Sequence, residues 1–181
     1  MASRSGGVPR ATGGRPTQEE PLLDASALAT PLYGGRYELL ELLGVGASGS
    51  VYRARDTELN EVVALKVLRA GLADDPQVVQ RFLQEARATA RLQHRNLAIT
   101  YTSGSTPDGL FYIAMEYIAG VSLADLIEAS WLKSERGSTY TLEAPRALRL
   151  FCQVVAAVAH AHRLGIVHRD LKPDNIFLCD R

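Results

Sequence analysis

Val62–Leu68 is a nearly all-apolar stretch of the chain, and Lys66 is its single charged residue. Strand alternation divides this stretch into two faces and puts Lys66 on the same face as Ala64. Both faces are apolar, which predicts a strand covered on both sides. A lysine on such a strand must be paired, because burying an unpaired charge is costly.

A helix is predicted downstream, beginning at Asp74-Asp75-Pro76. Acidic residues suit the positive end of the helix dipole, and proline is tolerated in a first turn. From there a stripe recurs at intervals of four and three, which is typical of one helix face. Glu85 lies on this stripe, so we expect its carboxylate to be on the buried side and to pair with Lys66. The alternative is a partly exposed glutamate on a wide stripe. The stripe consists of Val78, Phe82, Glu85, Thr89 and Leu92.

Further elements flank this strand and helix. Arg36–Val45 predicts a strand that ends in glycine, and residues 50–55 predict a second strand. Leu97–Gly104 and Leu110–Ile118 predict a hairpin, because a Pro-Asp-Gly turn separates them. A long helix is predicted to start near Thr141–Pro145. Its apolar surface is so broad that burial on most sides is expected.

Composition limits the class of protein. The chain has 181 residues, with 20 Lys+Arg against 20 Asp+Glu, so its charge gives no reason to expect nucleic acid or an anionic membrane as a partner. No apolar run approaches membrane-spanning length. Cys152 and Cys179 have neither metal-ligand nor disulfide spacing, so a reducing, cytoplasmic setting is expected. Residues 1–35 are rich in Gly, Pro, Ser, Thr and Arg and are predicted to form a disordered tail.

A glycine-rich stretch, Gly44–Val51, follows the first predicted strand and reads G-x-G-x-x-G-x-V. The glycine spacing alone is weak evidence, because dinucleotide-binding folds use it too. Those folds place a helix directly after the loop, whereas the residues after Gly49 suit a strand. We therefore expect a hairpin flap whose backbone N–H groups approach phosphate oxygens where Cβ atoms are missing. A plain glycine-rich hairpin is the alternative.

A polar loop, His168–Asn175, reads H-R-D-L-K-P-D-N between a helix and a short apolar run. It carries a carboxylate at Asp170, an ammonium at Lys172 and an amide at Asn175, and loops held by rigid elements often carry catalytic groups. A polar surface loop is the alternative. With the glycine-rich stretch and the V-A-L-K of the apolar strand, this loop resembles the catalytic loop of eukaryotic-type (Hanks-type) protein kinases. Lysine at position 172 resembles their serine/threonine-directed branch.

The resemblance covers about Tyr37 to Arg181 and implies an α+β, kinase-like bilobal fold. Residues 36–118 would form a five-stranded antiparallel sheet with one helix against it, and residues 119–181 an incomplete helical lobe. ATP, Mg²⁺ and a protein substrate of unknown identity are implied. Asp170 would accept the substrate hydroxyl's proton, Lys172 would neutralise charge on the phosphoryl group, and Asn175 would bind the metal. Lys66 would hold the α- and β-phosphates. The other implied nucleotide contacts are Leu43, Gly44, Val45, Gly46, Ala47, Ser48, Gly49, Ser50, Val51, Ala64, Glu85, the gatekeeper Met115, the hinge residues Glu116 and Ile118, and Phe177 as the floor of the adenine slot.

The family pattern continues past the position of Arg181 with D-F-G, which supplies a second metal ligand, and an activation loop. These 181 residues are therefore expected to bind nucleotide weakly and to transfer no phosphate. A non-catalytic, pseudokinase-like module is the competing expectation, although Lys66, Glu85, Asp170 and Asn175 are all present. The long helix is expected to expose apolar surface, which the family's later helices would cover. Thr89 is more polar than the family's usual residue and is expected to soften the packing behind its helix.

Overall fold

The sheet predicted from the sequence is present, and the α+β fold class is confirmed. The computed structural model describes residues 33–134 and 143–179. Five strands form one antiparallel sheet in the order β1-β2-β3-β5-β4, so β3 is central. The strands are β1 (Tyr37–Val45), β2 (Gly49–Asp56), β3 (Glu61–Leu68), β4 (Thr100–Ser105) and β5 (Phe111–Glu116).

The central strand β3 is covered on both sides, as its composition predicted. On one face Val63, Leu65 and Val67 are almost fully buried in a cluster that includes Tyr37 and Tyr52. On the other face Leu68 packs with residues of the helix α1 (Pro76–Thr89). Each large side chain buried in this way contributes roughly 1.5–3 kcal/mol relative to its exposed state.

Helix α1 begins where the sequence predicted. The Asp75 carboxylate accepts a hydrogen bond of 2.8 Å from the N–H of Gln77, and Pro76 occupies the first turn. The buried residues of the helix are Phe82 and Ala86. The expectation that the Glu85 carboxylate is buried is wrong, because its side chain keeps 52% of its accessible surface. The buried residue is Ala86, the next residue along the helix, so Glu85 lies at the edge of the apolar face.

The segment before β1 is attached to the sheet. Tyr33 exchanges two backbone hydrogen bonds with Tyr37, of 2.7 and 3.0 Å, and its ring packs edge-on against Tyr112. The predicted disordered tail, residues 1–35, lies outside the described residues except for its last three. Regular contacts therefore begin at Tyr33, slightly before the predicted start of the folded part.

In the residues that the structure describes, the helical part contains two α-helices, a short 3-10 helix at Pro173–Asn175 and a short two-stranded sheet. Its elements are β6 (Val121–Ser122), α2 (Leu123–Ser134), α3 (Ala144–Arg163) and β7 (Phe177–Leu178), and β6 pairs with β7. The expectation that α3 is buried on most sides is wrong, since only Ala157 and Ala161 are buried. Leu148 and Phe151 are 62% and 64% exposed, so the expected exposed apolar surface is confirmed. None of the helices in the described residues is long and apolar enough to span a membrane.

Candidate active site

Lys66 and Glu85 form the ion pair that their sequence positions suggested. Lys66 Nζ lies 2.7 Å from Glu85 Oε1 and 5.7 Å from the centre of the Phe82 ring. The Lys66 side chain is 21% exposed, so β3 and α1 shield the ammonium more than they shield the carboxylate. The pair lies on the α1 side of the sheet, on the same face of β3 as Leu68.

The glycine-rich stretch is a hairpin between β1 and β2, with no helix after it. Gly46 and Gly49 exchange backbone hydrogen bonds of 2.8 and 3.3 Å, which close the turn. Only glycine fits at position 49, because a Cβ atom there would lie 1.9 Å from the carbonyl oxygen of Val67. At Gly44 a Cβ atom would meet nothing within 4 Å, so packing within the chain does not demand a glycine there.

Some backbone N–H groups of this hairpin are hydrogen-bonded within the turn and others are not. The N–H groups of Gly46 and Gly49 are bonded within the turn, which removes them from the donors expected for phosphate. Within the described chain, no hydrogen bond uses the N–H of Ala47 or Ser48. Two adjacent backbone donors at the tip of a hairpin suit an anion such as a phosphate group.

The residues predicted to surround adenine come from the sheet, from the segment after β5 and from β7. Ala64 faces Met115 across the β3–β5 pair, and Val51 faces Lys66 across the β2–β3 pair. Ile118 and Phe177 instead line a cavity of about 780 Å³ between the segment after β5 and α3. The described residues that line this cavity do not include Val51, Ala64 or Met115. Of the residues predicted to surround adenine, this cavity is therefore lined by Ile118 and Phe177.

Glu116, the predicted hinge residue, forms hydrogen bonds within the protein. Its N–H donates to the carbonyl of Ile99 at 2.8 Å, and its carboxylate accepts from the N–H of Ile99 at 3.2 Å. The Glu116 N–H is therefore used within the protein and is not left as a donor for adenine.

The three polar residues of the predicted catalytic loop lie in contact. Asn175 Nδ2 donates to Asp170 Oδ2 at 3.0 Å and to the Asp170 carbonyl at 2.8 Å. Lys172 Nζ lies 3.5 Å from Asp170 Oδ2. The hydrogen bond from Asn175, followed by the charge of Lys172, lowers the pKa of the Asp170 carboxyl group. Asp170 is thus an ionised, solvent-exposed carboxylate, the form that accepts a proton.

The same contacts fix the orientation of the Asn175 side chain. Because its NH₂ group faces Asp170, its side-chain oxygen is left for another partner, and Mg²⁺ prefers oxygen ligands. Among the described residues, no group of three or more His, Cys, Asp or Glu is placed to hold a metal. The residues present fit one edge of a magnesium site.

One contact near the site was not predicted from the sequence. Thr89 accepts a hydrogen bond of 2.9 Å from Thr100 on β4, so the polar residue in the apolar stripe has a partner. The prediction that Thr89 softens the packing took no account of this bond. The available signal was the threonine itself, since a polar group that is removed from water is normally hydrogen-bonded.

Comparisons with known proteins agree with this geometry. The sequence profile of the protein kinase domain family matches residues 37–181. The chain is 41% identical over 143 residues to the serine/threonine-protein kinase pkn3 of Myxococcus xanthus, a match that covers 79% of this chain and 24% of the relative. It is 39% identical over 144 residues to the serine/threonine-protein kinase PrkC of Bacillus subtilis, covering 80% of this chain and 21% of that one.

The fold is also similar to that of a solved kinase domain. The crystal structure of the Mycobacterium tuberculosis PknI kinase domain matches with a TM-score of 0.62 and 30% sequence identity, over 79% of this chain and 55% of that chain. The chain therefore spans about a quarter of the length of the two bacterial relatives and about half of the solved kinase domain.

Proposed function

Because the chain belongs to the protein kinase family, we propose that it supplies the ATP-binding sheet and the catalytic loop of a serine/threonine kinase. The observation that carries the proposal is the 2.7 Å contact between Lys66 and Glu85. A lysine held in this way on β3 presents a fixed positive charge to the α- and β-phosphates of ATP. The open space at Gly44 and the donors of Ala47 and Ser48 support a phosphate position under the β1–β2 hairpin.

In this proposal the catalytic loop works on the hydroxyl group of a protein substrate. Asp170, ionised at neutral pH, accepts the hydroxyl's proton and holds its oxygen in line with the phosphoryl group. Lys172 neutralises charge on that group, and the side-chain oxygen of Asn175 contacts a metal ion. Magnesium, when bound, neutralises the charge of the phosphates.

For these 181 residues taken alone we propose nucleotide binding without detectable phosphoryl transfer. Glycine-loop donors and Lys66 favour binding, whereas transfer requires metal ions held by several oxygen ligands. The described residues offer one neutral metal ligand beside Asp170. The two free cysteines, Cys152 and Cys179, support a cytoplasmic setting for this part of the protein.

Two measurements on the purified chain test the proposal. Magnesium-ATP should raise the melting temperature of the wild type and should have a much smaller effect on Lys66→Met. In an assay with radiolabelled ATP and a generic basic protein substrate, neither should label the substrate. Labelling by the wild type that disappears in Lys66→Met would show that these residues suffice for catalysis. If magnesium-ATP does not change the melting temperature of the wild type, the assignment of the nucleotide site is refuted.

A further inference from the structure

The arginine that follows β3 is bonded to the tip of the β1–β2 hairpin. Arg69 donates two hydrogen bonds to this tip, one from its backbone N–H to the Ser48 carbonyl at 3.0 Å and one from Nη2 to the Gly46 carbonyl at 3.3 Å. The carbonyl of Arg69 accepts a bond of 2.9 Å from the N–H of Leu72, so its backbone is held on both sides. Arg69 therefore joins the hairpin tip to the end of the strand that carries Lys66.

These bonds orient the peptide groups of the tip. In a trans peptide the C=O group and the N–H group that follows it point in opposite directions, and the described chain contains no cis peptide bond. A Gly46 carbonyl that is held towards Arg69 therefore turns the N–H of Ala47 away from Arg69. The N–H of Ala47 is one of the two donors of the hairpin that no hydrogen bond within the described chain uses. The side chain of Arg69 thus sets the direction of a donor that is proposed to bind phosphate.

The carbonyl oxygens of the tip are the groups that would oppose a bound phosphate. A carbonyl oxygen only accepts hydrogen bonds, as phosphate oxygens do, so the two repel each other. The carbonyls of Gly46, Ser48 and Gly49 all accept hydrogen bonds within the protein. Arg69 supplies a donor to two of these three, and the donor to Gly46 is a charged guanidinium. The Arg69 bonds therefore occupy carbonyl oxygens that would otherwise be able to turn towards a phosphate group.

We infer that Arg69 is a positioning residue of the nucleotide site, which holds the hairpin tip in its phosphate-binding shape before the nucleotide arrives. A tip that is already ordered loses less conformational freedom on binding than an unattached one would, and this raises affinity. Because Arg69 acts through the peptide groups of the tip, its effect is on the phosphates of a nucleotide and not on the nucleoside. This inference rests on the proposed function, since it takes the hairpin to be the phosphate-binding element.

Two variants remove the bonds of Arg69 in steps. Arg69→Met removes the side-chain bond and keeps the backbone N–H. Arg69→Pro removes both bonds, and its ring fits the backbone there, because Arg69 has a φ of −60° and the residue before it lies in a strand. Arg55→Met is the matched control, because Arg55 lies opposite Glu38 at the end of the β1–β2 pair away from the tip. It removes the same charge and leaves the tip intact.

The first measurement needs no nucleotide. Backbone amide order parameters from NMR relaxation of the purified chain report how firmly Ala47 and Ser48 are held. Wild type and Arg55→Met should give about 0.85 for both residues, the value of rigid backbone. Arg69→Met should give a lower value, and Arg69→Pro should fall below about 0.6, the value of flexible backbone. Order parameters in Arg69→Met that equal those of wild type would overturn the inference, whatever the chain binds.

The second measurement separates affinity for phosphates from affinity for the nucleoside. Dissociation constants of adenosine and of magnesium-ADP are measured by calorimetry on the purified chain, and their ratio gives the preference for ADP. We expect Arg69→Met to lower this preference about threefold, the effect of one hydrogen bond, and Arg69→Pro to lower it about tenfold. Adenosine binding should stay unchanged in both variants. Arg55→Met should keep the preference of the wild type.

Two controls identify the reason for a change in this preference. If the loss in Arg69→Met disappears at high salt, where interactions between exposed charges are screened, Arg69 acts through its charge alone and the positioning role is overturned. Lys66→Met should abolish the preference for ADP, and if it does not, the proposed function fails. A preference that depends on Lys66 but is unaltered in Arg69→Met would overturn only the inference about Arg69.

Discussion

Replacing Arg36 with alanine should destabilise the protein by breaking a largely buried ion pair. Arg36 Nε lies 2.9 and 3.0 Å from the two oxygens of Asp56, and Arg36 Nη2 lies 2.6 Å from Oδ2. The Asp56 side chain is 4% exposed and the Arg36 side chain 30%. In Arg36→Ala the carboxylate would stay buried with only the backbone donors of Glu58 and Leu59.

The expected loss is about 2–3 kcal/mol of unfolding free energy. Removing one partner of a fully buried pair costs roughly 3–5 kcal/mol. The loss expected here is smaller than for a fully buried pair because Arg36 is partly in solvent and two backbone donors to Asp56 remain. Urea unfolding followed by circular dichroism measures the difference. Arg55→Ala is the matched control, because Arg55 pairs with Glu38 at 3.8 Å with both side chains 49% exposed, a contact worth about 0–1 kcal/mol. Equal losses in the two variants would refute the reasoning.

The pH dependence gives a second check on the same pair. The Arg36 guanidinium, with the N–H groups of Leu59 and Glu58, lowers the pKa of Asp56 against the opposing effect of burial. A carboxyl whose pKa is lower in the folded state stabilises the fold above its unfolded pKa, about 3.9, and loses that contribution as pH falls through the folded value. The difference in unfolding free energy between wild type and Arg36→Ala should therefore have its full value at neutral pH and shrink below about pH 4.

Three further variants test other parts of the structure. Gly49→Ala should lose about 3 kcal/mol or more of unfolding free energy, because its Cβ atom would overlap the Val67 carbonyl; a normal urea midpoint would contradict this. Asp170→Asn, introduced into a catalytically active kinase that contains these residues, should lower kcat about 10²- to 10⁴-fold with little change in KM for ATP; an unchanged kcat would exclude Asp170 as the base. Phe151→Glu should reduce the binding of an apolar dye such as ANS to the purified chain and cost less than about 0.5 kcal/mol of unfolding free energy, because the ring is 64% exposed; undiminished dye binding would show that the exposed face of α3 is not its site.

Short stretches of sequence were enough to predict most of the five-stranded sheet and the start of α1. Strand β3 followed from an apolar run interrupted only by Lys66, and the start of α1 followed from an aspartate cap and a proline. Asp170, Lys172 and Asn175 of the predicted catalytic loop are close in sequence, so a single short turn suffices to bring them together.

What the sequence could not supply was the outcome of packing between distant segments. Glu85 and Ala86 are neighbours, and only the rotation of α1 on the sheet decides which of them is buried. The partner of Thr89 lies on another element, so helical spacing does not reveal it. The apolar pattern of α3 shows which residues are able to be buried, but burial requires a neighbour, and in the described structure Leu148 and Phe151 remain exposed.

The attachment of Tyr33 to the sheet has a consequence for where the protein can be cut. The Tyr33 and Tyr37 rings both pack edge-on against Tyr112, at centroid distances of 6.0 and 5.3 Å. Together they cover the face of the sheet that carries Val63, Leu65 and Val67. A shortened version that starts at Arg36 would leave Tyr112 open to water on that side. It would also lose the paired hydrogen bonds that hold the first residue of β1. The smallest stable form of this protein should therefore begin before Tyr33, even though the recognisable family pattern begins at Tyr37.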